Sequence, residues 1–224
     1  MAKELLSEGQ VLSGEIDFPV RYQFESLGLS KKGLARLIAN GAKVLDIGCG
    51  SEARLVESLR QRGIVAYGID PLIKNPKDFL IKQEVDPEHP ILLPDGLCDL
   101  VIANEVGPLQ LAFSNFRALA QVFDIFGVPG ACDQQVAESQ ARAIIFEGLR
   151  VMRPTGRFVI YSCLDLLGGF NEELILNDYT INHQKVERTY FRAEIEEFKR
   201  KIATLGFKKE TDMMDYRTVI RKKK

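Results

Sequence analysis

The segment Val44-Leu45-Asp46-Ile47-Gly48-Cys49-Gly50 constrains this chain more than any other. Lys43-Val44-Leu45-Asp46-Ile47 is a short apolar run, and it stops at Gly48-Cys49-Gly50. That reads as a strand ending in a tight turn, whose glycines let the backbone come close to a ligand. Leu55, Val56 and Leu59 follow at helical spacing, and Gly63 stops that helix. Ile64-Val65-Ala66-Tyr67-Gly68-Ile69 is a second strand, closed by Asp70-Pro71. Strands this apolar are buried on both faces, as in a parallel sheet covered by helices.

The rest of the chain repeats the pattern. Ser30 reads as an N-cap for a helix carrying Leu34, Leu37 and Ile38, with Gly41 at its end. Residues 97–103 form a strand after the turn Pro94-Asp95-Gly96, and residues 157–162 form another after Pro154-Thr155-Gly156. Ala143, Ile144, Phe146, Leu149 and Val151 predict a helix leading into the second turn. Phe191, Ile195, Phe198, Ile202 and Leu205 form a helical stripe, and residues 213–220 read as one or two antiparallel strands. The expected fold is α/β: a single doubly wound Rossmann-like domain over 1–224, mostly parallel, with an antiparallel C-terminal strand. Residues 1–29 read as an N-terminal extension. Residues 107–146 read as a helical insertion, where Phe113, Phe116, Phe123 and Phe126 share an amphipathic pattern.

Composition excludes other chemistry. The chain has only two histidines, His89 and His183, and its four cysteines contain no C-x-x-C pair, so no zinc or dithiol motif is present. Both histidines sit in polar stretches and read as solvated loop residues. The dispersed cysteines suggest reduced thiols and a cytoplasmic setting. No secretory signal or membrane span is expected. The formal charge is −1, which argues against a general nucleic-acid binder. That total conceals +6 over residues 185–224 and −7 over the remainder. The basic end reads as a solvated terminus. Neither a G-x-S-x-G elbow nor a P-loop occurs.

In a doubly wound sheet, ligands sit beyond the carboxyl ends of the strands, near the point where strand order reverses. The Gly48-Cys49-Gly50 turn lies at such an end, and Asp46 stands at its mouth. Asp70 closes the next strand 20 residues after Gly50, where an acid can accept both hydroxyls of a ribose. Gly48-x-Gly50-x-x-Ala53 also matches a dinucleotide fingerprint. Asp46 counts against that reading, because a carboxylate repels a pyrophosphate but attracts an ammonium group.

The strings VLDIGCG (44–50), YGIDP (67–71), LPDGLCDLVIANEV (93–106) and LRVMRPTGRFVIYS (149–162), in this order, resemble class I S-adenosylmethionine-dependent methyltransferases. The resemblance implies S-adenosylmethionine as cofactor and methyl transfer to a small-molecule acceptor. It implies that Asp46, Gly48, Cys49 and Gly50 meet the methionine portion, with Cys49 as a small spacer. It implies that Asp70 binds the ribose, that Pro71 and Leu72 lie near the adenine, and that Asp86 faces the adenine amino group. Asn104 and Glu105 would stand where acceptor and methyl meet, Glu105 as a base or as an exposed acid. Phe113, Phe116 and Phe123 would either wall the acceptor or pack on the sheet. Glu52 departs from the pattern, standing where a third glycine is common, and Arg-Pro-Thr-Gly replaces Pro-Gly-Gly before the fifth strand. No Asn-Pro-Pro-Tyr string follows the fourth strand, which argues against the amino-group methyltransferases that use it. Two alternatives stay open: a non-catalytic methyltransferase-like partner protein, and an NAD(P)-binding oxidoreductase.

Overall fold

A computed structural model describes residues 23–24, 27–104, 106, 108–109, 134–162, 171–186 and 215–223. Its helices are α1 (Lys31–Ala39), α2 (Arg54–Gln61), α3 (Gln134–Val151) and α4 (Asn171–Leu176). Its strands are β1 (Lys43–Ile47), β2 (Val65–Ile69), β3 (Leu80–Ile81), β4 (Cys98–Asn104), β5 (Met152–Ser162), β6 (Tyr179–Val186) and β7 (Asp215–Lys222). They form one seven-stranded sheet in the order β3-β2-β1-β4-β5-β7-β6. β1 pairs in parallel with β2 and β4, and β4 in parallel with β5. β7 runs antiparallel to both β5 and β6. The fold is therefore α/β, Rossmann-like and mostly parallel, with an antiparallel C-terminal strand.

The order reverses between β1 and β4, since β2 and β3 extend to one side and β5 to the other. In sheets of this kind ligands bind near the switch point, which here is the carboxyl ends of β1 and β4. Alternation along the strands builds a core on each face. Leu45 and Ile47 join one cluster with Val101, Ala103, Ile145 and Phe158. Val44 joins the other with Leu55, Leu59, Ala66 and Leu100. Phe24, Leu27 and Leu29 are also buried in this second cluster, so the end of the expected N-terminal extension is part of the core.

Local signals place α1 as its sequence predicts. The Ser30 hydroxyl accepts from the Gly33 N–H at 3.1 Å, and Gly41 turns the chain with φ +57°.

Two expectations need correction, and one strand is additional to them. Pro154-Thr155-Gly156 does not precede β5 but lies inside it. Met152 faces Cys98 and Arg157 faces Leu100, so the residues between them bulge against the single residue Asp99. His183 is not in a loop; it lies in β6 opposite Thr218, and its Nδ1 is 2.7 Å from the Thr218 Oγ1. β3, a two-residue strand, was not anticipated. The helix pattern at 191–205 lies outside the described residues, as do residues 110–133 of the expected insertion. Residues 134–146 belong to α3.

Candidate functional site at the β1 and β2 ends

Two buried acids and one glycine turn make the site. Gly48 and Gly50 hold φ of +75° and +76°, and Ala53 caps α2 with φ +46°. The Gly48 and Cys49 N–H groups both donate to the Ile69 carbonyl, at 2.8 and 3.3 Å. The turn after β1 is thereby tied to the end of β2. Asp70 completes the link. Its Oδ2 accepts from the Gly50 N–H at 2.9 Å, and its Oδ1 accepts from the Leu72 N–H at 2.7 Å. One carboxylate thus fixes both turns and keeps further lone pairs for a ligand's hydroxyls.

Asp46 is 2% exposed, and its Oδ1 has no hydrogen-bond partner. Burial, reinforced by the negative charge of Asp70, pushes its carboxyl up to about 8. Among the described residues no basic side chain pairs with either acid. Such a carboxylate is costly to ionise alone and gains most from a cationic ligand. Asn104 at the end of β4 also carries a buried Oδ1 without a partner.

Cys49 is packed behind the turn, where a Cβ on Gly68 would stand 2.8 Å from its sulfur. Burial and the carboxylates of Asp46 and Asp70 push its thiol far above the usual range. It is a neutral filler, as its position in the turn predicts. Pro71 and Leu72 are exposed on the rim.

Asp86 lies in the turn after β3. Its carboxylate accepts from the Glu88 and His89 N–H groups and pairs with the His89 ring at 2.9 Å. It lines a separate cavity of 370 Å³ against Arg142, Phe146 and Glu147 of α3. These contacts fix the side chain in its own turn. Glu105, Phe113, Phe116 and Phe123 lie outside the described residues.

Glu52 turns outward. Its carboxylate bonds Arg54 at 2.6 Å and lies 3.9 Å from Lys74, and these cations hold it below the usual carboxylate range. One neighbour was invisible in the sequence. Val106, beyond β4, lies over Gly48, so a Cβ there would sit 2.7 Å from its Cγ2.

The strand order, the switch point and the acid-lined glycine turn define a Rossmann-like domain with a candidate site at the carboxyl ends of β1, β2 and β4. No protein-family model matches the sequence, and no curated protein is similar to it. Solved structures are. The [4+2]-cyclase SpnF is similar at 15% identity and TM-score 0.49, over 89% of this chain and 81% of that one. A methyltransferase from Thiobacillus denitrificans, solved with S-adenosyl-L-homocysteine, is similar at 15% identity and TM-score 0.47, over 89% and 91%. The 1,6-didemethyltoxoflavin-N1-methyltransferase of Burkholderia thailandensis, solved with 1,6-didemethyltoxoflavin and S-adenosylhomocysteine, is similar at 15% and 0.46, over 92% and 81%. Among the described residues no helix is long and apolar enough to cross a membrane. Those residues also contain no group of three or more His, Cys, Asp or Glu that could hold a metal ion.

Proposed function

We propose that this chain binds S-adenosylmethionine at the carboxyl ends of β1 and β2 and transfers its methyl group to a small-molecule acceptor. The observation that carries the reading is the buried, unpartnered carboxylate oxygen of Asp46 beside Asp70. S-adenosylmethionine, when bound, supplies an amino-acid ammonium, a ribose and a methyl group already activated on a sulfonium. Asp46 offers the ammonium end a buried counter-charge, Asp70 offers the ribose two acceptor oxygens, and Gly48 and Gly50 let the backbone approach. The chain's remaining task is to align an acceptor, and orientation of this kind supplies up to about 7–11 kcal/mol. Asn104 offers that acceptor a hydrogen-bond partner. The apolar pattern of Phe113, Phe116 and Phe123 supports a small, apolar acceptor. The free, buried thiols of Cys49 and Cys98 support a cytoplasmic setting.

The alternatives lose ground on specific contacts. A dinucleotide pyrophosphate would meet two acids and, among the described residues, no cation paired with them. The departure at Glu52 is the feature that would favour a non-catalytic protein, and its charge is met by Arg54 and Lys74.

Isothermal titration with S-adenosylmethionine and NADH in parallel tests the reading. Saturable binding of the first, lost in Asp70→Ala and Gly48→Val, is expected. Binding of NADH alone refutes it, and silence with both favours the non-catalytic partner.

A further inference from the structure

A second charged feature lies toward the other edge of the sheet. Phe158 of β5 faces Ile220 of β7, so the register sets Arg157 opposite Arg221 at the next position. Arg217 lies on the same face, opposite Tyr161. That face is fixed by its apolar members: Val159 and Tyr161 are buried in the second core cluster, and Val219 packs against it. Three arginines therefore border one patch, with Arg157 and Arg217 half-buried and Arg221 exposed.

Such an arrangement opposes folding. Side chains directly across an antiparallel pair have Cβ atoms about 4.5–5.5 Å apart, and like charges there are destabilising. Four other arginines meet carboxylates: Arg54 meets Glu52, Arg142 meets Glu173, Arg150 meets Asp95 and Glu147, and Arg153 meets Asp99. Among the described residues no acid pairs with Arg157, Arg217 or Arg221. Arg217 donates instead to the neutral Gln184 Oε1 at 2.6 Å, and a Cβ on Gly28 would run into its guanidinium. Burial and the two neighbouring arginines all lower the affinity of Arg157 for its proton. Exposed neutral hydrogen-bonding residues, Thr180, Asn182 and Gln184, lie beside the cluster on β6.

We propose that Arg157, Arg217 and Arg221 form a binding site for a small phosphate-bearing ligand on the β5–β7–β6 face. Guanidinium forks match phosphate oxygens two at a time, and a multiply charged group offsets the three cations together. Three guanidiniums at neighbouring register positions match the span of a small ligand. The site is distinct from the β1 turn, since β7 stands three strands from β1 in the sheet, about 14 Å away.

The probe is inorganic pyrophosphate, titrated into the full chain at about 50 mM salt, where such contacts are only partly screened. Arg157→Gln and Arg221→Gln are expected to weaken binding about tenfold or more. Arg36→Gln, on exposed α1 surface, leaves it unchanged. A second readout is thermal melting. Without ligand, Arg221→Gln melts above the parent because a repulsion is gone, and pyrophosphate no longer raises its Tm. If the half-buried Arg157→Gln fails to fold, Arg221→Gln at the exposed position decides alone. Absent binding, or binding undiminished in Arg221→Gln, overturns the proposal. So does a ligand-free melting point lowered by Arg221→Gln. Citrate binding as tightly as pyrophosphate, or a short single-stranded RNA binding where pyrophosphate does not, overturns the small-phosphate assignment.

Discussion

Gly48 and Gly50 separate two effects that sequence alone merges. Both hold left-handed φ, which costs a residue with a Cβ about 1–2 kcal/mol. A Cβ on Gly50 meets nothing within 4 Å, whereas one on Gly48 meets the Val106 methyl at 2.7 Å. Gly50→Ala is therefore expected to lose about 1 kcal/mol of ligand-free stability, and Gly48→Ala about 1–3 kcal/mol more. Urea midpoints of the two variants check the order, and equal losses would show that Val106 yields freely. The arrangement of these acids and glycines was legible because it is local. A strand end, a turn and an acid at the next strand end are all written in sequence spacing. The turn around Asp86 was not, since nothing in its spacing announces that His89 and two backbone N–H groups engage its carboxylate. Val106 reaches Gly48 only through the β1–β4 pairing, a long-range contact without a sequence signature.

At the scale of elements, legibility follows burial. β1, β2 and β4 lie in the sheet interior, covered by helices, and their apolar runs announce them. β6 pairs only with β7 at the sheet edge, and most of its side chains are exposed. Its sequence Thr-Ile-Asn-His-Gln-Lys therefore reads as a loop, although backbone pairing makes it a strand. The β5 bulge hid for a related reason: Pro-Thr-Gly is turn chemistry, and the sheet absorbs it as extra residues opposite Asp99. Asp99 then ties the region together, accepting from the Lys43 N–H at 2.8 Å and from Arg153 at 2.9 Å. Asp99→Ala leaves that N–H and that guanidinium without their acceptor, and a loss of about 1–3 kcal/mol in urea unfolding is expected. At α1, the Ser30 cap is a separable contribution. Ser30→Ala removes the acceptor for the Gly33 N–H, and a loss of about 1 kcal/mol is expected in the same assay. A change in urea m-value rather than midpoint would point to a rearranged helix instead.

At the scale of the whole molecule, the buried Asp46 couples ligand binding to protons and to stability. Its carboxyl titrates near 8 in the fold, against a reference of 3.8. Between those values the native chain holds a proton that the unfolded chain has released. Stability from this group is therefore fully present at low pH and falls as pH rises through the window, by at most about 1.4 kcal/mol per unit. His89, whose raised proton affinity comes mainly from Asp86, adds a fall of the same sign, so the parent alone does not isolate Asp46. Asp46→Asn does: urea midpoints measured from pH 5 to pH 8 should decline less steeply in that variant than in the parent. A cationic ligand reverses the preference, because its ammonium stabilises the ionised carboxylate. Binding of S-adenosylmethionine near pH 6.5 is then expected to release about one proton, seen as a calorimetric enthalpy that varies with the buffer's ionisation heat. The release should shrink above pH 8.5, where Asp46 is already ionised, and vanish in Asp46→Asn where that variant still binds. Tight binding with no proton exchange in the parent would place the ligand's cation away from Asp46 and remove the electrostatic basis for the proposed site.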